Sequence, residues 1–358
     1  MLQNRFGKLA ATVLTGSMLM GAAACGGNDD AATSAKPSDG ASSAPAAAGA
    51  KVGLAYDIGG RGDQSFNDAA AAGLDKAKTE LGLAETKEIE ADSGETEAAK
   101  EERLRLLASG GYNPIVAIGF AYSGSLKKVA AEFPDIKFAI VDDAAATGPN
   151  ISNLLFAEHE GSFLVGAAAA LKSKKNHVGF VGGVQVPLIQ KFEAGFAAGA
   201  KAVKSDVKVD VKYLTQPPDF GGFNDPAKGK TAAEGMFDAG ADVVYHAAGG
   251  SGSGVFEAAK AAKGLAIGVD SDQAKTAAAD LQSVIMTSMI KKVDVAVFDF
   301  LKSFSGGGVK SGTTIYDLKA GGVDYSTTGG QVDDIKTKLD EYKQKIISGE
   351  ITVPEKTS

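Results

Sequence analysis

Short apolar runs separated by helical patterns constrain this chain more than any other feature. In the first half they are VGLAYD (52–57), KEIEAD (87–92), PIVAIG (114–119), KFAIVD (137–142) and ISNLLF (151–156). Further on come HVGFVGG (177–183), VKVDVKYL (207–214), ADVVYHAA (241–248), LAIGVD (265–270) and SVIMTS (283–288). A strand with one wet face alternates apolar and polar residues. Most of these runs are apolar throughout, which suits parallel strands covered by helices on both faces. Between them, Ala70, Leu74, Ala77 and Leu81 form one stripe of a helix predicted over 67–81, which Gly82 stops. The fold class is α/β. HVGFVGG and its following helix repeat the layout of VGLAYDIGG and its helix, so two similar lobes are expected, the second beginning near Glu158.

Asp57, Asp92, Gly119, Asp142, Gly249 and Asp270 all stand at or beside the carboxyl ends of these predicted strands. In open parallel sheets a ligand binds in the crevice outside those ends. The plainer alternative for any one of the aspartates is that it caps the next helix.

Familiar catalytic and phosphate-binding patterns fail on inspection. The loop after the first strand offers Gly60-x-Gly62, but Ser65 stands where the dinucleotide fingerprint needs its third glycine, and Asp63 would oppose a pyrophosphate. The GGSGSG run (249–254) lacks the third member too. Gly222 lies too far before the GKT at 229–231 for a phosphate loop, and Pro226 interrupts the span. No serine sits in a G-x-S-x-G elbow. His159, His177 and His246 have no metal-ligand spacing, and the single cysteine excludes a multi-cysteine metal site. No cofactor is expected, and binding is favoured over catalysis.

The N-terminus carries Arg5 and Lys8, then the apolar stretch LAATVLTGSMLMGAAA, of about the length of a secretory core and short for a membrane span. AAAC follows, ending at Cys25, and resembles a bacterial lipobox with Ala22 where leucine is commoner. Residues 1–24 are read as a signal peptide, and Cys25 as a lipidated first residue held to a membrane surface, the plainer alternative being an ordinary signal peptide cut near Ala24 with Cys25 incidental. The segment 25–50, rich in Gly, Ala, Ser, Pro and Asp, is read as a flexible tether. The whole chain carries a formal charge of −7. That acidic balance disfavours nucleic acid as a partner.

What the crevice would bind follows from its side chains. Phe66 opens a helix directly after a glycine-rich loop, where no core ring is required, although it could fold back onto its lobe. Asn67 offers a donor and an acceptor, or a simple helix cap. Phe192 is spaced with Leu188 and Phe196 and reads equally as core. Lys291 and Lys292 open the helix carrying Val293, Val297 and Phe300. A lysine opposing the helix dipole there points to an anionic neighbour such as Asp142 or Asp270, or to a solvated pair with Asp294. Aromatic faces with several carboxylates suit an uncharged, flat ligand rich in hydroxyls, since phenyl rings stack on a heterocycle and carboxylates accept from a diol.

AYDIGGRGDQSFNDAAAAGL, FAIVDD, KFEAGFAAGAKAV, ADVVYHAAGGSGSGVFEAAK, AIGVDSDQ and TSMIKKVDVAVFDF, in this order, resemble the basic membrane protein family. Its members are substrate-binding lipoproteins of ATP-driven importers, the purine nucleoside receptor being the characterised type. The resemblance implies a type I periplasmic-binding-protein fold, with two Rossmann-like lobes of parallel sheet joined by a three-segment hinge. Lobe 1 is placed at 51–156 plus about 284–312, and lobe 2 at 157–283 plus about 313–358. It implies no enzymatic activity. A purine nucleoside (guanosine, inosine or adenosine) is expected between the lobes, with Phe66 and Phe192 sandwiching the base. Asp57 and Asn67 would meet its polar edge, and Phe120 would line the cleft. Asp142, Asp270 and Lys291 would hold the ribose, with Gly249 allowing close backbone approach. The implied partners are ABC permease subunits and, through the lipid anchor, the extracytoplasmic face of the cell membrane; the receptor is expected to be a monomer. A sugar receptor of the same fold, a nucleoside sensor and a nucleoside-cleaving protein are the alternatives. TQPPDFGG (215–222) reads as a local insertion near the cleft, able to alter which base is accepted.

Overall fold

A computed structural model describes residues 49–92 and 94–357. The expected signal peptide, Cys25 and nearly all of the tether lie outside the described residues. The first part of the chain runs β1 (Lys51–Ala55), α1 (Phe66–Leu81), β2 (Glu85–Ile89), α2 (Glu97–Ser109), β3 (Ile115–Ile118), α3 (Ser123–Glu132), β4 (Phe138–Val141) and β5 (Ile151–Phe156). Next come α4 (Glu158–Lys172), β6 (His177–Val184), α5 (Pro187–Val203), β7 (Lys208–Thr215), α6 (Pro226–Asp238), β8 (Val243–Ala247) and α7 (Gly252–Ala262). The chain ends with β9 (Leu265–Asp270), α8 (Gln273–Thr276), β10 (Ile285–Lys291), α9 (Val293–Ser305), β11 (Gly312–Tyr316), β12 (Val323–Tyr325) and α10 (Lys336–Ile347).

The strands form two six-stranded sheets, ordered β11-β5-β4-β3-β1-β2 and β12-β10-β9-β8-β6-β7. Every pairing is parallel except β10 with β12. The all-apolar runs are buried as expected: every residue of β3, β4, β6 and β8 is inaccessible or nearly so. Helices cover both faces. In α1 the stripe of Ala70, Leu74 and Ala77 is sealed against the core, and Gly82 in the left-handed conformation ends the helix. The helices α4 and α5 lie in backbone contact, because a Cβ at Gly195 or Gly199 would strike the carbonyl of His159 or Phe163.

Three chain segments join the halves. The first passes from β5 through Ala157 into α4. The other two fall later than expected. β10 belongs to the second sheet through Lys291, so the segment expected in lobe 1 from 284 joins it only at α9, which packs on α1. Likewise β11 lies in the first sheet, so the crossing expected at 313 occurs between Tyr316 and Val323. Lys291 therefore ends a strand instead of opening a helix, and Lys292 precedes α9. The crossings are tied side by side: the Ala157 amide donates to the Tyr316 carbonyl at 3.1 Å, and the Lys292 amide to Gly322 at 2.9 Å.

Candidate functional site

The carboxyl ends of both sheets face one pocket of about 540 Å³, a volume that includes its open mouth. Asp57, Phe66, Asn67, Phe120, Asp142, Phe192, Gly249, Asp270 and Lys291, the residues expected around a ligand, all line it. Asp92 does not: β2 is an edge strand, and Asp92 beyond it is exposed. Topology explains the gathering. Gly119 and Asp142 directly follow β3 and β4, Asp57 and Gly249 follow β1 and β8 by two residues, and Asp270 and Lys291 end β9 and β10.

Capping does not account for Asp57, Asp142 or Asp270. Asp57 Oδ1 accepts only the amide of its neighbour Ile58, at 2.8 Å. Its carboxyl is pushed up to about 7, chiefly by desolvation. Asp270 accepts a hydrogen bond from Ser65 Oγ at 2.5 Å and, again mainly through burial, is raised to about 6. Asp142 pairs with the Lys291 ammonium through Oδ2, while its buried Oδ1 has no partner. Both Asp142 and Asp270 sit in the left-handed region, at φ 65° and 61°. Such strain in non-glycine residues persists where the surroundings over-determine it, and it collects at functional sites. Gly119, at φ 99°, leaves room for Asp57, since a Cβ there would collide with the carboxylate.

Among the described residues Lys291 is the one cation lining this pocket, and only 2% of it is exposed. Its Nζ lies 4.9 Å from the ring centre of Phe66, 5.1 Å from Phe156 and 5.5 Å from Phe192. Glu158 Oε1 is 3.6 Å away. Desolvation pulls the ammonium's pKa down, but Asp142, Glu158 and Asp270 together outweigh it and hold the pKa above the usual lysine value. Glu158 is itself pushed up to about 7 by burial; its Oε2 accepts no hydrogen bond and faces the Lys191 ammonium at 4.0 Å. Buried acids thus outnumber the ammonium, leaving acceptor capacity for a ligand's donors.

Asn67 is more committed than its sequence suggested. Its Oδ1 accepts the Asp57 amide at 3.1 Å, and its Nδ2 donates to the Ile58 carbonyl at 3.3 Å and to Asp63 Oδ2 at 3.1 Å. It braces the loop. Asp63, also on the pocket wall, accepts the amides of Ser65, Asn67 and Asp68 at the start of α1. Its spacing ahead of Ser65 and Asn67 was the signal available for that role. Phe192 lies in the core and on the pocket wall at once, 3% exposed, so its two sequence readings describe two faces of one ring.

Sequence reasoning missed Phe223, Leu188 and Ile189 on the wall. It also missed Glu158, which looks like any acid in a helix's first turn. The 215–222 stretch does reach the cleft: Phe220 meets Phe120 edge to face at 5.9 Å, and Phe223 follows it onto the wall. Among the described residues no group of His, Cys, Asp and Glu could hold a metal ion, and no helix is long and apolar enough to cross a membrane.

A family profile for PnrA-like ABC transporter substrate-binding proteins, Bmp, matches residues 50–357. The ABC transporter nucleoside-binding protein BmpA of Lactococcus lactis is 36% identical over 320 residues, covering 86% of this chain and 89% of its own. An uncharacterized lipoprotein of Pyrococcus abyssi is 36% identical over 286 residues, 77% of this chain and 68% of its own. Among solved structures, an ABC transporter solute-binding protein from Aeropyrum pernix superposes with a TM-score of 0.73 at 30% identity, covering 86% of this chain and 94% of that one. With its two largely parallel sheets, three crossings and a pocket at the strand ends, this chain belongs to the Bmp family of ABC transporter substrate-binding proteins.

Proposed function

We propose that this chain is the extracytoplasmic, lipid-anchored receptor of an ABC importer, and that it closes around a purine nucleoside and presents it to the permease. The observation carrying this reading is the pocket wall. Phe66, Phe192 and Phe223 stand with Leu188 and Ile189 around a site whose polar groups are mostly acceptors. Aromatic faces take a flat base. Asp142 Oδ1, buried without a partner, takes a hydroxyl. A phosphate would meet Asp57, Asp63, Asp142 and Asp270, so the uncharged nucleoside is favoured over the nucleotide. The name of the Lactococcus relative supports the ligand class. The Pyrococcus name, with AAAC ending at Cys25, supports the anchor. The permease follows from the family. Closure needs no covalent step, because a ligand touching both halves shifts the population toward the closed form.

Isothermal calorimetry with guanosine, inosine and adenosine, set beside arabinose, xylose and guanosine monophosphate, tests the ligand class. Nucleosides should bind and the monophosphate should bind far more weakly. Binding of a pentose with no response to any nucleoside would replace this reading with a sugar receptor, and free hypoxanthine appearing from inosine would make the protein an enzyme.

A further inference from the structure

The loop before α1 is bonded directly to the turn after β9, beside the pocket that Phe66 and Asp270 line. Ser65 Oγ donates to Asp270 Oδ2 at 2.5 Å, Ser271 Oγ donates to the Ser65 carbonyl at 3.1 Å, and Gln273 Nε2 donates to the Gln64 carbonyl at 3.0 Å. Each bond joins a residue of the first half to one of the second. Gln273 is oriented within its own half: its Oε1 accepts the Val269 amide at 2.9 Å and lies 3.0 Å from His246 Nε2, while its backbone amide donates to Ser288 Oγ at 3.1 Å. With Oε1 committed, the amide nitrogen must face Gln64. On the other side Gln64 is held at φ 54°, a left-handed non-glycine residue like Asp270 opposite it. Ser65 is fully buried and Gln273 2% exposed, so neither bond is a passing surface contact.

We infer that Gln273, Ser65 and Ser271 form a latch that holds the two halves together and fixes the orientation of Asp270. These are positioning residues, not ligand contacts. The latch rests on the closure part of the proposed function and not on the identity of the ligand. Its bonds exist only when the halves meet, so they favour the closed form and slow the escape of whatever is enclosed. Because Gln273 is already aimed before closure, little ordering is lost when the bond forms.

The test uses the mature chain and its Gln273→Glu and Ser271→Ala variants, with guanosine as probe. Gln273→Glu keeps an oxygen for Val269 but turns an acceptor toward the Gln64 carbonyl; Ser271 is half-buried, so its loss spares the core. Small-angle scattering of the ligand-free proteins should show a larger radius of gyration in Gln273→Glu than in wild type. Guanosine dissociation followed by stopped flow should quicken about tenfold in Gln273→Glu and about threefold in Ser271→Ala, with association changed less than about twofold. Unchanged scattering and unchanged dissociation in both variants would overturn the latch, and so would an affinity loss confined to association. Should Gln273→Glu fold poorly, Ser271→Ala decides. If wild type fails to bind guanosine, the proposed ligand falls, and the ligand-free scattering alone decides the latch.

Discussion

The two halves bring unlike chemistry to the same pocket. From the first sheet come Asp57, Asp63, Asn67 and Asp142, with Phe66 and Phe120 at their margin. From the second come Leu188, Ile189, Phe192, Phe223, Ala247 and Val269, an apolar wall broken by Asp270 and Lys291. One half is built to accept hydrogen bonds and the other to exclude water. The Lys291 ammonium on the second sheet reaches across to Asp142 of the first, besides serving Asp270 and Glu158 of its own half. Separate walls of opposite character let the open cleft stay wet and let the closed one strengthen every polar contact it encloses.

Removing that ammonium should have the largest effect. Lys291→Met leaves Asp142 and Glu158 buried without their nearest counter-charge, only the more distant Lys191 remaining, and breaking a buried pair costs about 3–5 kcal/mol. Urea denaturation at pH 7 should show that loss. It should shrink at pH 5, where Glu158, raised to about 7 by burial, takes up a proton. A loss independent of pH would mean the acids do not feel the lysine.

Next in size is the aromatic margin of the polar half. Phe66→Ala should weaken guanosine binding by about 1–3 kcal/mol if stacking resembles that of bases on aromatic side chains elsewhere. Unchanged calorimetric affinity would remove Phe66 from the site. Phe220→Ala, which breaks the edge contact with Phe120 across the cleft, should cost about 0.5–1.5 kcal/mol and alter the ranking of guanosine against adenosine. An equal loss for both nucleosides would show that this contact contributes to closure but not to choice.

The smallest effect tests the acidity of the polar half. Asp57 has its folded pKa raised to about 7, so the protonated form stabilises the empty protein, and that contribution is lost as pH rises through about 7. Asp57→Asn removes this dependence. Its melting temperature should gain on wild type by about 2–4 °C between pH 5 and pH 8. Parallel melting curves would show that Asp57 stays well solvated.

How much of this was legible in the sequence depended on burial. The buried strands announced themselves as apolar runs, but β11 (GTTIY) is almost wholly exposed and β12 (VDY) has three residues, so neither left a pattern. Missing them displaced two crossings. The predicted strand also stopped at Ser288, whereas β10 continues to Lys291, because Lys291 is buried by partners that lie far away in sequence. The aspartates and glycines of the rim were readable because strand ends are local features. Glu158, Phe223 and the bonds of Gln273 were not, since each finds its neighbours among residues far away in sequence.

Neither half is a continuous stretch of chain. β5 has no outer neighbour until Gly312–Tyr316 has been synthesised, and β12 closes the other sheet only after that. A polypeptide halted at Ser305 would leave sheet edges open on both sides, in the state most prone to pairing with another chain. Completion must therefore wait for Tyr325 to emerge, and proteolysis anywhere between Val293 and Tyr325 should unfasten both halves at once.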